Sequence, residues 1–191
     1  MRLLRLAWLA LAAALTQACL VVSLHPVYDP ETIGFDAALV GTWASDEDAA
    51  TVTFDRGEWH SYHITIVDGS KTSRFSARLT KLGDLQLLDV APLDGTDVPD
   101  LVIPVHIIYK VAVDADTVSF ATLNYDRFYD MAKAGKTDGG LVLDARKNAV
   151  LTASTSDLRQ WLQAHGADDG VFDTPAMLKR KVVEAPATAP Q

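Results

Sequence analysis

TVTFDRGEWHSYHITIVDGSKTSRFSARLTKLGDLQLLDV, residues 51–90, sets the fold class, because apolar and polar side chains alternate along it. Val52 and Phe54 alternate with Thr51, Thr53 and Asp55. Tyr62, Ile64 and Ile66 alternate with His63 and Thr65, and Phe75, Ala77 and Leu79 with Arg74, Ser76 and Arg78. A period of two belongs to strands with one buried face. Arg56-Gly57-Glu58, Asp68-Gly69-Ser70 and Leu82-Gly83-Asp84 punctuate the run as tight turns, so neighbouring strands are antiparallel.

Downstream, the pattern predicts strands over 85–90, 103–113 and 117–123, with an acidic loop from Pro92 to Pro99. Ile103, Val105, Ile107, Tyr109, Val111 and Val113 share one face, and a stripe that long suggests a strand that bends or serves two parts of a barrel. Upstream, the strands begin at Leu39. Six or seven short antiparallel strands in a row imply a meander, and a meander of that length removes its open edges by curling into a barrel.

Two amphipathic helices follow. Asn124 is placed to cap one carrying Tyr125, Phe128, Tyr129 and Ala132, with Gly135 as its stop. Ser154 to Asp157 resembles a capping box ahead of Leu158, Trp161, Leu162 and His165, and Gly166 ends that helix. Short strands are expected at 141–143 and 149–152, and a closing strand at 177–183. The mainly β domain therefore spans 39–183, and residues 184–191 form a proline-containing tail expected to be disordered.

The N-terminus has a different character. Arg2 and Arg5 precede an apolar run from Leu6 to Leu15, then Thr16-Gln17-Ala18-Cys19, the order of an export signal over residues 1–18. Residues 19–38 carry His25-Pro26 and Asp29-Pro30, each proline biasing its predecessor away from helix, and read as a tether. Loss of residues 1–18 leaves 173 residues, with 15 Lys and Arg against 25 Asp and Glu, a net charge of about −10. That acidity argues against nucleic acid and against electrostatic adhesion to anionic lipid. Cys19 is the only cysteine, so no intrachain disulfide can form.

Thr16-Gln17-Ala18-Cys19 resembles the lipobox of bacterial lipoproteins, in which the cysteine becomes the lipidated first residue. Leu15 stands one place earlier than in the usual pattern, and Gln17 occupies a place usually held by a small residue. An ordinary secretory cut after Ala18 and an uncleaved anchor from Leu3 to Val22 are the alternatives. Leu20 after the cysteine implies, by that resemblance, passage to the outer membrane, facing the periplasm. Leu39-Val40-Gly41-Thr42-Trp43 resembles the G-x-W signature of lipocalin-like (calycin) barrels, which implies that Trp43 plugs the closed end of a barrel. The wider arrangement, from Cys19 through Ser23-Leu24-His25-Pro26-Val27-Tyr28 to Leu151-Thr152-Ala153-Ser154-Thr155, is similar to a group of uncharacterised bacterial lipoproteins. No activity comes with that resemblance.

Catalytic and metal patterns are sparse. His60 and His63 at i and i+3 on a strand point to opposite faces. No H-E-x-x-H, C-x-x-C, EF-hand or G-x-S-x-G spacing occurs, so neither a metal nor another cofactor is expected. Asp46 with Asp48, Asp94 with Asp97 and Asp168 with Asp169 read as solvated loop acids. His106 shares a strand face with Lys110, outside the main core. Asp89 falls in phase with Leu85 and Leu87, which predicts a bulge or strand end there; the alternative is a carboxylate inside the barrel paired with Arg74 or Arg78. Trp43, Phe54, Tyr62, Phe75, Tyr109 and Phe120 occupy the apolar phase and are the candidate ligand-binding residues. Side chains of this size argue for a packed core, with a ligand pocket as the alternative. The expected function is a non-enzymatic, lipid-anchored envelope protein that binds an apolar or amphiphilic molecule. The alternative is an adaptor with a filled barrel that docks on an envelope protein.

Overall fold

The computed structural model describes residues 20–46, 49–93, 103–136 and 140–181. The expected signal, Cys19, Asp48, Asp94, Asp97 and the tail 184–191 lie outside the described residues.

In chain order the strands are β1 (Val21–Ser23), β2 (Ile33–Gly34), β3 (Gly41–Ala44), β4 (Thr51–Arg56), β5 (Ser61–Asp68), β6 (Lys71–Leu82), β7 (Leu85–Pro92), β8 (Ile107–Val113), β9 (Thr117–Thr122), β10 (Leu141–Leu143), β11 (Ala149–Leu151) and β12 (Ala176–Arg180). Helix α1 (Tyr125–Lys133) follows β9 and helix α2 (Thr155–His165) follows β11. β3 to β9 form an antiparallel meander. β12 then enters between β9 and β3, pairing Leu178 with Val118 and Arg180 with Trp43, and closes an eight-stranded barrel. The expected closing strand is thus present, although the chain makes both helices before it arrives.

Local chemistry explains the corners. β5 and β6 are joined by Gly69-Ser70 with Asp68 opposite Lys71, and Gly69 takes the left-handed conformation, φ +57°, that such a two-residue connection requires. β6 is the strand that serves two neighbours on one edge. β5 covers it as far as Arg78, and β2 takes over at Leu79 and Thr80. The expected long strand over 103–113 is shorter, starting at Ile107, with Ile103 largely exposed.

Two cores result, one on each side of the same strands. Inside the barrel lie Trp43, Phe54, Tyr62, Ile64, Leu79, Leu88, Val90, Val111, Val118, Phe120 and Leu178. The opposite parity of β7 and β8 puts Leu85, Leu87 and Ile108 outside, where they pack against Val21, Val27, Phe128, Leu141, Leu151, Leu158 and Leu162. This flank core is roofed by α1, α2 and a three-stranded sheet in the order β1-β11-β10, with β1 parallel to β11. The segment 20–38, read above as a tether, is therefore woven into the fold: β1 is in a sheet and Val27 is wholly buried. The prolines that break helix in this segment suit a path laid over a barrel wall equally well.

Both helices start where expected. Asn124 Oδ1 accepts from Arg127 N at 2.9 Å, and Ser154 Oγ accepts from Asp157 N at 3.2 Å, each satisfying an orphan donor of the first turn. Leu158 and Leu162 carry the buried face of α2, and Phe128 that of α1.

Candidate functional site

One end of the barrel is sealed. Trp43 is fully buried, its indole Nε1 donates to Leu39 O at 2.9 Å, and the Arg180 guanidinium lies over its ring at 4.1 Å. Arg180 also donates to the carbonyls of Ala38, Val40 and Ala115, at 2.6, 2.9 and 2.9 Å. It thereby ties together β12, the turn after β8 and the short 3-10 helix Ala37–Leu39. Gly41 is required here on two counts: its φ is +134°, and a Cβ would meet Arg180 Nη1 at 2.6 Å. Beside this seal, the Tyr62 hydroxyl donates to Asp36 O at 3.1 Å and accepts from Asp36 N at 2.6 Å. Burial raises the Tyr62 phenol above its ordinary value, partly offset by the bond to the Asp36 backbone. Phe35 stacks on Tyr62 at 4.9 Å, and Arg56 covers Phe35 at 4.2 Å.

The other end holds an apolar recess of about 80 Å³. Its wall comprises Val52, Phe54, Ile64, Ile66, Phe75, Leu88, Val90, Ile107, Tyr109, Phe120 and Leu178. Four of the six aromatic candidates meet there: Phe54, Phe75, Tyr109 and Phe120. Trp43 and Tyr62 do not line it and belong to the seal. Rings leave such a space because they pack only in restricted attitudes. Phe54 lies parallel to Phe120 at 5.9 Å, while Tyr109 meets Phe120 edge-on at 6.1 Å. Tyr109 is the one wall residue with a polar tip. Burial pushes its phenol up to about 12, so it stays a neutral donor at any physiological pH.

Asp89 and His106 form the most consequential polar contact outside the barrel. Asp89 is 2% exposed and sits mid-strand, in unbroken register between Arg78 on β6 and Ile108 on β8, so the expected bulge is absent. It faces outward rather than into the barrel, and its partner is neither Arg74 nor Arg78. His106 Nδ1 lies 2.6 Å from Asp89 Oδ1, and Val27 N donates to Asp89 Oδ2 at 2.7 Å. His106 also exchanges both backbone hydrogen bonds with Ser23, at 2.8 and 2.9 Å. A histidine–carboxylate pair of this length suits general acid–base work only where a substrate reaches the ring. Here the pair is covered by the segment it binds, and the arrangement clasps residues 23–27 to β7 and β8. Parity alone placed His106 outside the core; nothing in the linear pattern joined it to Asp89.

The remaining candidates stay apart. His60 occupies a turn with φ +61° and meets Phe35 edge-on at 6.4 Å, whereas His63 projects outward from β5 into solvent. Among the described residues, no three His, Cys, Asp or Glu side chains gather as a metal site would require. A broad open groove between α1 and α2 mixes Arg127, Asp130, Lys136, Trp161 and His165. Two of its ionisable groups are engaged with the 168–169 turn: Arg127 donates to Asp169 O at 2.8 Å, and His165 Nδ1 lies 3.2 Å from Asp168 Oδ2. No helix among the described residues is long and apolar enough to cross a membrane. The chain matches no protein-family model, no curated protein and no solved structure.

Proposed function

We propose that this chain is a lipid-anchored bacterial envelope protein, carried on an acylated Cys19, whose barrel binds the slender apolar end of an amphiphile and performs no catalysis. The observation that carries the binding reading is the recess at the open end, with ten apolar wall residues and the single hydroxyl of Tyr109. Its size limits the guest. Sites for whole small molecules enclose roughly 300–1,000 Å³, whereas a dry cavity of about 150 Å³ suffices for one benzene ring. At about 80 Å³, the recess suits the tip of a chain or a branched aliphatic group, with the rest of the amphiphile lying across the mouth. Tyr109 would donate to a carbonyl or hydroxyl on that guest.

The same small volume favours a second reading, an adaptor whose barrel is filled and which docks on an envelope protein. Native mass spectrometry of protein purified from its own host's envelope separates the two. A reproducible non-covalent amphiphile supports the binding module, and its absence alongside a co-purifying protein overturns it. The anchor has its own test: Cys19→Ala is expected to release the protein from the membrane fraction, and a variant still acylated at its N-terminus contradicts the assignment. The family resemblance to bacterial lipoproteins, the periplasmic location and the outer membrane as address all stand with that anchor.

A further inference from the structure

The small sheet that roofs the flank core has an outer face that the core does not use. Alternation along each of its strands puts Val21, Ser23, Ala149, Leu151 and Leu141 inward, where all are buried. The opposite parity points away. Register aligns Val22 with Val150 and Val150 with Val142, so three valines from three strands form one row across the outward face. Val142 is 48% exposed, and Val22 and Val150 are half-buried. Side chains standing at directly paired positions lie side by side, so the row is a continuous apolar ridge.

The position of this ridge in the chain identifies what it meets. Leu20 shares the parity of Val22, its carbonyl accepts from Ala149 N at 3.0 Å, and its N–H donates to Asn148 Oδ1 at 3.4 Å. The residue before it is Cys19, one peptide unit away, and consecutive Cα atoms are about 3.8 Å apart. No slack separates the lipid attachment point from the sheet. The turn beside it is stiff as well: the Asp144 carboxylate accepts from Arg146 N, Asn148 N and Asn148 Nδ2 at 2.8 to 2.9 Å. Arg146 and Lys147 are exposed on that turn, next to the attachment point. The chain as a whole is acidic and Asp144 is exposed on the same turn, so the ridge supplies the contact, while Arg146 and Lys147 give it a local pair of cations for the headgroup layer.

The geometry points to the Val22–Val150–Val142 face as the surface on which the domain rests against the membrane. This inference rests on the acylation of Cys19 proposed above and adds an orientation to it. Acyl chains alone would let the domain tumble on a leash; a sheet fused to the anchor holds it in one attitude. The β5–β6 hairpin at the open end of the barrel, on a separate part of the molecule, is expected to remain in water.

The test exploits the single native cysteine. In full-length Val142→Cys protein, acylation of Cys19 leaves one free thiol, whereas two thiols titrate if Cys19 is bare. The variants Val142→Cys and Ser70→Cys are labelled with a fluorophore and placed in vesicles of phosphatidylethanolamine and phosphatidylglycerol containing brominated acyl chains. The expected result is one free thiol, loss of most of the fluorescence at position 142, and none at position 70. Equal quenching at the two positions with one free thiol overturns the orientation while leaving the anchor standing. Two free thiols remove the acyl anchor and, with it, the orientation that rests on it. Thiol cross-linking of Val142→Cys into a dimer within the vesicles, without quenching, assigns the ridge to a second copy of the chain and overturns the membrane face.

Discussion

The barrel interior and the flank core share strands β7 and β8 yet are built from different side chains. The interior is aromatic, with Trp43, Phe54, Tyr62, Phe75, Tyr109 and Phe120 contributing rings, and it ends in an apolar recess. The flank is dominated by branched aliphatic residues from a sheet, two helices and the barrel wall, with the histidine–carboxylate contact of His106 and Asp89 at its edge. Flat rings converging inside a cylinder leave space at one end. Leucines and valines interdigitate at close-packed density. The molecule thus builds its flank from aliphatic packing and has an apolar recess at the barrel mouth.

The strongest way to break the contrast is to unpair the flank's buried charge. His106→Ala leaves the Asp89 carboxylate enclosed with the Val27 N–H as its remaining partner, and the expected loss is about 3–5 kcal/mol in urea unfolding. Amides from Val21 to Val27 should lose hydrogen-exchange protection ahead of those of β4 and β5. A loss under about 1 kcal/mol would remove the clasp as a stabilising feature. Next comes a reversal of the usual size order. Leu162→Ala in the flank is expected to cost about 2–5 kcal/mol, whereas Phe75→Ala, a larger truncation at the half-exposed recess wall, should cost less. Equal or greater damage from Phe75→Ala would mean that the mouth is as tightly packed as the flank.

A milder variant sharpens the comparison from the other side. Ile66→Trp fills the recess and is expected to weaken uptake of an apolar fluorescent probe at least about tenfold, equivalent to about 1.4 kcal/mol, while leaving the unfolding midpoint near that of the parent. Unchanged uptake would move the binding site elsewhere. The smallest effect concerns acid. Bonds from Asn148, its side chain foremost, hold the Asp144 carboxyl below its ordinary value of 3.8. A depressed folded value means that this contribution is complete above about pH 4 and is lost as pH falls through the lower, folded value. Protection factors of amides in the β10–β11 turn, corrected for the intrinsic pH dependence of exchange, should therefore be lower in acid than at neutrality, with no matching change at the sealed end of the barrel.

Most of the barrel was legible in the sequence, because each hairpin is a local event. Gly69 and its flanking alternation suffice to predict β5 and β6, and Asn124 and Ser154 announce their helices by cap chemistry that reaches only three residues. The second core was illegible for the opposite reason. Leu85, Leu87 and Asp89 look like errors of phase until segments far away in sequence cover them, and a parity argument reports only that a face is buried, not by what. The same holds for the candidate site. Aromatic phase indicated which rings point into the barrel, but whether a ring seals or lines the recess depends on axial position, which Trp43 and Tyr62 acquire from Arg180 and Asp36.

The parallel pairing of β1 with β11 bears on the order in which the molecule assembles. Leu20 and its partner Asn148 are 128 positions apart, so the first strand made is nearly the last to find its place. Such a contact is slow to form, because almost the whole chain must be available before the loop can close. Until then, the segment from Leu20 to Ser23 is unpaired chain. Once β11 has formed, the same peptide is bound into a sheet. The time in which residues 20–23 stand open to other molecules is thereby confined to an interval before folding ends, and its close is set by residues more than a hundred positions downstream.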